Sequence, residues 1–286
     1  MITIKDKYKQ VGGSRMIIGS RKFETGKRPY IMGILNVTPD SFSDGGNYND
    51  IEKALKHTKQ MIDEGADIID VGGESTRPGH TQISVQEEIE RTCFVIEAIK
   101  ENYNIPVSID TYKHEVAEAA ILAGADLVND IWGLTYDDMM AETIAKHNVS
   151  VCIMHNRNNP HYDNLVNDVV SDLEAMLDIA KKAGISEDKI MLDPGIGFAK
   201  NTEENLIVMN NLERIAGMGY PVLLGTSRKS MIGNTLNLPV SEREEGTIAT
   251  SVIGLMKGCT FFRVHNVKAN YRALKMTNHI INKQDM

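Results

Sequence analysis

The sequence predicts an α/β fold, a (β/α)8 TIM barrel with an N-terminal β-hairpin. Two observations predict the barrel. Short apolar runs recur along the 286 residues, and each is followed by a polar turn and a longer segment with helical spacing. Parallel strands need crossover helices between them, and eight such units close into a barrel and not into an open sheet.

The eight predicted strands are short apolar runs, and they lie at Tyr30–Leu35, Asp67–Val71, Pro106–Ile109, Asp126–Val128, Ser150–Met154, Lys189–Leu192, Pro221–Leu224 and Phe261–Val264. Between them, Ala, Leu and Ile recur at three- and four-residue intervals, which predicts helices at Ile51–Glu64, Val85–Tyr103, His114–Ala123, Val166–Ala183 and Glu242–Met256. Three of these helices are followed by Gly65, Gly124 and Gly184, which are typical helix C-terminal caps.

The first 28 residues do not follow this rhythm. Ile2–Ile4 and Met16–Gly19 alternate around Gly12 and Gly13, which predicts a hairpin that caps the N-terminal mouth of the barrel. The chain has no Pro- or Ser-rich linker, so we expect a single domain over residues 1–286.

The composition argues against several classes of partner. A formal charge of -8 disfavours nucleic acid and membrane surfaces, although a local basic pocket for a small anion remains compatible with it. No apolar run is long enough to span a bilayer, and charges from Lys5 onward argue against a secretory signal. Cys93, Cys152 and Cys259 stand in apolar stretches, as buried free thiols do. We therefore expect a cytoplasmic protein that binds small molecules.

Polar residues end most of the predicted strands. In chain order they are Asn36, Asp70, Asp110, Asn129 with Asp130, His155, Asp193, Lys229 with Ser230 beyond the seventh strand, and Arg263 with His265. Any one of them could be a helix cap or a turn residue. Their joint occurrence favours an active site, because the strand C-termini of a barrel converge on one mouth.

The charges divide these residues into two groups. Asp110, Asn129 and Asp193 offer carboxylate and amide groups to the N–H edge of a flat heterocycle, and Lys229 could bind its carbonyl. A second group, formed by Asn36, Arg263 and His265, suits phosphate or pyrophosphate. A ligand with a donor-rich ring and a diphosphate would satisfy both groups.

Two loops, Thr38–Gly46 and Gly72–Gly79, have the Gly, Ser, Thr, Pro and Asp content of loops that close over a site. Phe42 is either a chance surface residue or the apolar contact of a lid, and Arg77 is either a solvated charge or an anion clamp. Neither a dinucleotide-binding nor a P-loop motif is complete. The histidines outside the strand ends show no metal-ligand spacing, so zinc is not expected.

These residues resemble the dihydropteroate synthase family. The resemblance rests on ILNVTPDSFSDGG at 34–46 and DVGGESTRPG at 70–79, and it continues through SIDT at 108–111, VND at 128–130, DPGIGF at 193–198, SRKS at 227–230 and RVH at 263–265. These blocks stand in the order of the family. Residues 1–28 and the segment Asn156–Tyr162 match poorly.

The resemblance implies a transferase that joins p-aminobenzoate to 6-hydroxymethyl-7,8-dihydropterin diphosphate, with Mg2+ assistance. It implies that Asp110, Asn129, Asp193 and Lys229 clamp the pterin and that Arg263 flanks the ring. Arg263, His265 and Asn36 would share the diphosphate, and Asn36 would be the protein ligand of Mg2+.

For p-aminobenzoate, the resemblance implies that the carboxylate binds Ser230. Its ring would be enclosed by Phe42, Pro78, Phe198 and the stem of Lys229, with Thr76 and Arg77 ordering the loop. Sulfonamides would compete at this site, and a homodimer is implied.

Two other readings remain. A pterin-dependent methyltransferase acting with a corrinoid protein shares the barrel and the pterin clamp, but it would not need Lys229, Ser230, Arg263 and His265. A non-catalytic pterin-binding module would keep the clamp and lose Asn36 or Arg77, which are both present.

Overall fold

Strands and helices alternate along the chain in the computed structural model, which describes residues 15–37, 46–74 and 82–283. The strands in these ranges are β1 (Arg15–Ile18), β2 (Arg21–Glu24), β3 (Tyr30–Asn36), β4 (Ile68–Gly72), β5 (Val107–Asp110), β6 (Leu127–Asp130), β7 (Ser150–Met154), β8 (Ile190–Asp193), β9 (Leu223–Leu224) and β10 (Phe261–Val264).

The α-helices follow the barrel strands, with two after β8 and two after β9. They are α1 (Gly46–Glu64), α2 (Val85–Asn102), α3 (His114–Leu122), α4 (Met140–His147), α5 (Leu165–Ala183), α6 (Thr202–Asn210), α7 (Leu212–Ala216), α8 (Ser230–Leu236), α9 (Glu244–Met256) and α10 (Val267–Ile281). Short 3-10 turns precede β8 and α9. All eight predicted barrel strands are present, and β9 is the shortest of them.

The barrel strands are parallel and are hydrogen-bonded in the order β8-β7-β6-β5-β4-β3-β10-β9. A parallel bridge between Leu192 and Val222 joins β8 to the start of β9, and the Leu192 N–H donates to the Pro221 carbonyl over 2.9 Å. The sheet therefore closes on itself, and the predicted (β/α)8 barrel is confirmed.

The repeated Gly-Ala-Asp phrase has the same structural role at both of its occurrences. Gly65 and Gly124 end their helices with φ of +109° and +111°. The Asp67 carboxylate accepts the Ile31 N–H on the neighbouring strand over 3.0 Å, and the Asp126 carboxylate accepts the Val107 N–H over 2.9 Å. Each aspartate thus fixes the start of its own strand to the strand before it.

The interior of the barrel changes from apolar to polar along the strands. Side chains of a strand alternate between its two faces, so residues two apart point the same way. At the N-terminal end the interior holds one apolar cluster, which includes Ile68, Leu127, Met191, Leu223 and Phe261. Two residues further along these strands stand Asp70, Asn129, Asp193, Gly225 and Arg263. The polar residues therefore form the next layer of the same interior.

The hairpin exists, but its strands differ from the predicted ones. β1 pairs with β2, and Ile18 stands opposite Arg21 across the turn at Gly19 and Ser20. The predicted partner Ile2–Ile4 lies outside the described residues. A short turn next to Met16–Ile18 forms the hairpin because it needs only local pairing. Met16, Ile18 and Phe23 join the apolar cluster of the barrel interior, so the hairpin covers the N-terminal mouth as expected.

Two of the three cysteines are buried as predicted, and all three are free thiols. Cys152 lies in the barrel interior and Cys259 precedes β10, whereas Cys93 on α2 is only half-buried. Its position on a helix that faces solvent on one side accounts for this difference. No helix in the described part of the chain is long and apolar enough to cross a membrane.

The aromatic plug of the N-terminal mouth gives a stability prediction. Phe23 is fully buried, with ring centroids 4.9 Å from Tyr30 and 5.5 Å from Phe261. We expect Phe23→Ala to lower the free energy of unfolding by about 3–5 kcal/mol, since it leaves a cavity in a packed core. As a control, Lys22→Ala changes an exposed neighbouring residue and should alter the free energy of unfolding by less than about 0.5 kcal/mol. Urea unfolding followed by circular dichroism measures both, and equal midpoints would contradict the role of the plug.

Candidate functional site

The polar strand ends meet at the C-terminal mouth of the barrel. Asp110 and Asn129 are paired neighbours on β5 and β6. A Cβ atom built on Gly72 would lie 3.6 Å from Asp110 Cβ and 3.7 Å from Asn36 Oδ1, which places Asn36 beside Asp110. The sequence prediction that these strand ends converge is therefore confirmed for these three residues.

Gly225 marks the other side of the mouth. A Cβ atom built there would lie 3.7 Å from Asp193 Oδ2 and 3.9 Å from both Arg263 Cβ and Lys229 Nζ. Any larger residue would fill the space among these three side chains. The glycine thus keeps open the centre of the polar layer.

Arg263 is the cation at the centre of this layer. Its Nε donates to Asp70 Oδ2 over 2.6 Å, and its Nη2 donates to Asp110 Oδ2 over 2.5 Å. The side chains of Asp70 and Asp110 are 0% and 4% exposed. Burial works against the charged form of Arg263, but the two carboxylates outweigh burial and raise its pKa.

The carboxylates of the layer keep unused acceptors. Asp70 Oδ1 and Asp110 Oδ1 are buried and have no hydrogen-bond partner among the residues described. Burial raises the pKa of Asp110 to about 7, with Arg263 opposing and Asp70 adding to the shift. Buried acceptors without donors cost free energy, so this layer is suited to a ligand that brings N–H groups.

Asp193 is held by the loop that follows it. Its Oδ1 accepts the Gly195 N–H over 2.7 Å, and burial raises its pKa. Across the mouth, Lys229 Nζ donates to the Ile196 carbonyl of this loop and lies 4.7 Å from the centre of the Phe198 ring. Burial lowers the pKa of Lys229 to about 8, against the opposing effect of Asp193. The structure thus brings together Asp193, Lys229 and Phe198.

His265 and Ser230 lie at the edge of the site. The Ser227 hydroxyl lies 2.9 Å from His265 Nδ1 and accepts the His265 N–H over 3.2 Å, which fixes the imidazole two residues beyond Arg263, just after β10. Ser230 is the first residue of α8 and is exposed, directly after Lys229. Asn36 is also exposed, at the end of β3.

The remaining predicted residues, Phe42, Thr76, Arg77 and Pro78, lie outside the described residues. The two described ends of the second loop are joined by Glu74, whose Oε2 accepts the Ile83 N–H over 3.0 Å and the Lys113 ammonium over 2.7 Å. The Tyr112 hydroxyl donates to Glu74 Oε1 over 2.7 Å. This buried cluster anchors both ends of the loop to β5 and the start of α3.

Sequence reasoning missed several residues of the site. Asp70 was recognised as a strand end, but its pairing with Arg263 joins residues 193 positions apart. Tyr112, Ile131 and Met154 form an apolar cluster with Trp132 and Phe198 beside the polar strand ends. Strand alternation could have indicated Met154, because it lies two residues beyond the interior residue Cys152.

A possible cation site was also not predicted from spacing. Ligand atoms of His114, Glu115 and Asp137 lie within 4.8 Å of one another. Asp137 Oδ2 accepts the His114 backbone N–H over 2.9 Å and lies 2.8 Å from His114 Nδ1. These bonds satisfy the first turn of α3, so helix capping accounts for the group.

Comparisons with known proteins agree with this site. A family model described as "Pterin binding enzyme" matches residues 32–265. A dihydropteroate synthase from Clostridium beijerinckii is 62% identical over 269 residues, which cover 94% of this chain and 100% of that protein.

Two solved structures were compared with the fold. Dihydropteroate synthase from Clostridium difficile, determined in the presence of pteroic acid, has a TM-score of 0.89 and 49% identity, and the match covers 91% of this chain and 100% of the other. The Xanthomonas albilineans enzyme with 4-aminobenzoic acid has a TM-score of 0.90 and 38% identity, covering 95% and 100%. The chain therefore belongs to the dihydropteroate synthase family of pterin-binding enzymes.

Proposed function

We propose that this chain is a dihydropteroate synthase, which condenses 6-hydroxymethyl-7,8-dihydropterin diphosphate with p-aminobenzoate to give 7,8-dihydropteroate and pyrophosphate. The observation that carries the proposal is the buried layer of carboxylates around Arg263, with free acceptor atoms on Asp70 and Asp110. This layer would recognise the pterin ring, and the relatives carry the same activity in their names.

The pterin ring would lie in the mouth with its N–H edge toward Asp110, Asn129 and Asp193. Carboxylates in such a site accept paired N–H donors in one plane. Lys229 Nζ, already directed toward a carbonyl, would donate to the ring carbonyl. Phe198 and Met154 would supply apolar contacts beside the ring plane.

The reaction breaks the C–O bond of the hydroxymethyl diphosphate and forms a C–N bond to the aromatic amine. Pyrophosphate leaves with the bond electrons, and the amine loses a proton. Positive charge develops on the methylene and spreads into the ring, where the buried carboxylates stabilise it. The amine is itself a nucleophile, so positioning supplies much of the rate.

The diphosphate would lie toward Asn36, Arg263 and His265. Asn36 Oδ1 is a hard oxygen ligand at an exposed strand end, which fits Mg2+, since this ion takes few protein ligands and completes its shell with phosphate oxygens and water. When bound, Mg2+ would neutralise charge on the leaving group. His265 and Arg263 would add positive charge from the protein.

The second substrate would bind at Ser230, Phe198 and the stem of Lys229, with Phe42, Thr76, Arg77 and Pro78 supplied by the two loops. The contact between Lys229 and Phe198 supports this, because it places an apolar ring and a lysine stem side by side, 4.7 Å from the ammonium to the ring centre. Ser230 is exposed, and its hydroxyl can donate to a carboxylate.

Pyrophosphate release tests the proposed reaction. With both substrates and Mg2+, we expect release that requires p-aminobenzoate, is lost with a chelator, and is inhibited competitively by a sulfonamide. Arg263→Ala and Arg263→Lys should each lower kcat/KM by about 100-fold or more, since the guanidinium contacts the reacting end of the pterin. The control Arg272→Ala changes an exposed arginine on α10 and should leave the rate unchanged.

The Arg263→Lys variant separates loss of activity from loss of folding. Arg263→Ala leaves two buried carboxylates without a cation, and this is strongly destabilising. The lysine variant keeps a charge, so a folded but inactive protein is expected from it. Pyrophosphate release without p-aminobenzoate, or full activity of the Arg263→Lys variant, would contradict the proposed reaction.

The raised pKa of Asp110 predicts a pH dependence of pterin binding. With a pKa of about 7, Asp110 is mostly protonated at pH 5.5 and half ionised at pH 7, where Lys229, with a pKa of about 8, is still mostly charged. The carboxylate form accepts N–H donors, so the affinity for pteroate should rise roughly tenfold over this window. Titration calorimetry measures it. The Asp110→Asn variant should bind pteroate weakly, and its affinity should lose most of the pH dependence. If its affinity depended on pH as steeply as that of the wild type, the role of Asp110 would be refuted.

We also propose a homodimer. Five exposed apolar side chains lie on α6, α8 and α9, namely Leu206, Ile207, Leu236, Ile253 and Met256. A Cβ atom built on Gly246 would lie 3.3 Å from Leu236 Cδ1, so the ends of α8 and α9 adjoin. Exposed apolar side chains on neighbouring helices are typical of an interface between subunits.

Charge insertion tests the dimer. Leu206→Glu combined with Ile253→Glu should convert the dimer to a monomer in sedimentation velocity, because two desolvated carboxylates per subunit oppose association. The control Leu122→Glu changes a residue that is 74% exposed on α3, on another side of the barrel. A dimer that survives the double substitution would place the interface elsewhere.

We further propose a cytoplasmic enzyme whose partners are its small-molecule substrates, without nucleic acid or membrane. The three free thiols support a reducing compartment.

A further inference from the structure

A hydrogen-bonded network lies behind the loop that follows β8. We name it the lysine–histidine network, and it consists of Lys200, His155, Asp172 and Arg157. His155 follows β7 and its side chain is 0% exposed. Its Nε2 lies 2.9 Å from Asp172 Oδ2, and its Nδ1 lies 2.8 Å from Lys200 Nζ.

The partners fix the protonation of His155. A lysine ammonium only donates, so His155 Nδ1 accepts from Lys200 and the proton stands on Nε2, which donates to Asp172. Burial lowers the pKa of His155 to about 3, with the positive charge of Lys200 lowering it further, so the ring is neutral. Arg157 donates to Asp172 through Nε over 2.5 Å and Nη2 over 3.1 Å. The carboxylate is thereby held in place for the imidazole.

Lys200 uses all three of its donors in this network. Besides His155 Nδ1, its Nζ donates to the Gly195 and Phe198 carbonyls, each over 3.1 Å. No carboxylate lies within 4.0 Å of Lys200 Nζ among the residues described, and burial lowers the pKa of Lys200 to about 7, against the opposing effect of Asp193; the ammonium form supplies all three donors to the imidazole and the two carbonyls. The two carbonyls belong to the beginning and the end of one short loop.

That loop shapes the proposed substrate site. Gly195 donates to Asp193 Oδ1, the Ile196 carbonyl accepts from Lys229, and the Phe198 ring lies under Lys229. A Cβ atom on Gly195 would lie only 1.9 Å from the His155 carbonyl oxygen, so the loop packs directly on the residue that holds Lys200. A change at Lys200 is therefore transmitted to Lys229 and Phe198 through main-chain positions.

The segment Asn156–Tyr162 supports the same loop from the other side. The Tyr162 hydroxyl donates to the Ala199 carbonyl over 2.9 Å, and the Arg157 guanidinium lies 4.6 Å from the centre of the Tyr162 ring. From the start of α6, Asn205 Oδ1 accepts the Gly197 N–H over 2.7 Å. The Phe198 N–H donates to the Gly195 carbonyl over 3.1 Å, and Lys200 adds a side-chain link between the same two ends of the loop.

We propose that Lys200, oriented by neutral His155, is a positioning residue that sets the conformation of the Gly195–Phe198 loop and so the p-aminobenzoate side of the site. This inference rests on the proposed function. Lys200 does not touch either substrate, and it acts through the Ile196 carbonyl and the Phe198 ring. Asp193 and Lys229 also contact this loop, but Asp110 and Asn129 stand on other strands and hold their part of the pterin ring without it, so the pterin side depends on Lys200 less than the p-aminobenzoate side does.

The test is Lys200→Met, which keeps the length of the side chain and removes its donors. We expect the KM for p-aminobenzoate to rise about tenfold, since displacements of the order of 1 Å at a reacting pair have large effects, while the Kd for 6-hydroxymethyl-7,8-dihydropterin diphosphate changes less than about threefold. Hydrogen exchange of the unliganded protein should be faster in a peptide that covers residues 195–200.

Lys189→Met is the matched control. Lys189 also donates to a main-chain carbonyl, that of Asn148, but it does so at the N-terminal end of the barrel. Its removal should leave the KM and the loop exchange unchanged. A purely structural role for Lys200 would lower the unfolding midpoint and the fraction of active enzyme without moving the KM, and that outcome would overturn the inference.

Three further variants keep the test decisive if Lys200→Met does not fold. Lys200→Gln retains N–H donors and should give an intermediate KM. His155→Asn places an amide oxygen near the position of Nδ1 and should retain a lower KM than His155→Leu. If wild-type enzyme fails to release pyrophosphate in the presence of p-aminobenzoate, the proposed function fails; if it succeeds and every Lys200 variant keeps the wild-type KM, only this inference fails.

Discussion

The buried guanidinium of Arg263 is the constraint on which the polar half of the barrel depends. Asp70 and Asp110 both lie in the interior and bind the same guanidinium, and two like charges repel more strongly there than in water because the effective dielectric constant is lower. One planar cation with separate donors for each carboxylate removes this repulsion and fixes both groups. A lysine could not reach both acceptors with the same geometry.

The same constraint explains why the site lies at one end of the barrel. Closing eight strands forces their inward side chains into layers, and a charged layer is tolerated only where ion pairs and an open mouth compensate the lost hydration. The N-terminal half is therefore filled by Tyr30, Phe261 and their neighbours and is capped by Phe23 from the hairpin. This apolar cluster lies directly below the layer of aspartates and supports their positions.

Much of this arrangement could be predicted from the sequence. The parts that could not be predicted have one physical cause in common. The barrel strands follow from short apolar runs and the Gly-Ala-Asp phrase, and the convergence of Asp110, Asn129 and Asp193 follows from strand topology. The pairing of Arg263 with Asp70 and the contacts of Lys200 with His155 depend on register and on loop conformation, which residue types do not encode. Met16–Ile18 was predicted as a hairpin strand, but its pairing with β2 was not, because an alternating run fits a partner on either side and the turn at Gly19 is what brings β2 beside it.

The charges of the polar layer suit a cationic transition state. Three carboxylates, Asp70, Asp110 and Asp193, face two cations, Arg263 and Lys229, so full ionisation leaves one net negative charge. In the free protein, burial raises the pKa of Asp110 to about 7, with Arg263 opposing the shift and Asp70 adding to it. A positive methylene and ring formed next to Asp110 would add a second positive neighbour and favour its ionised form. The site is therefore electrostatically complete only when the C–O bond has begun to break, which is the condition for stabilising the transition state more than the bound substrate.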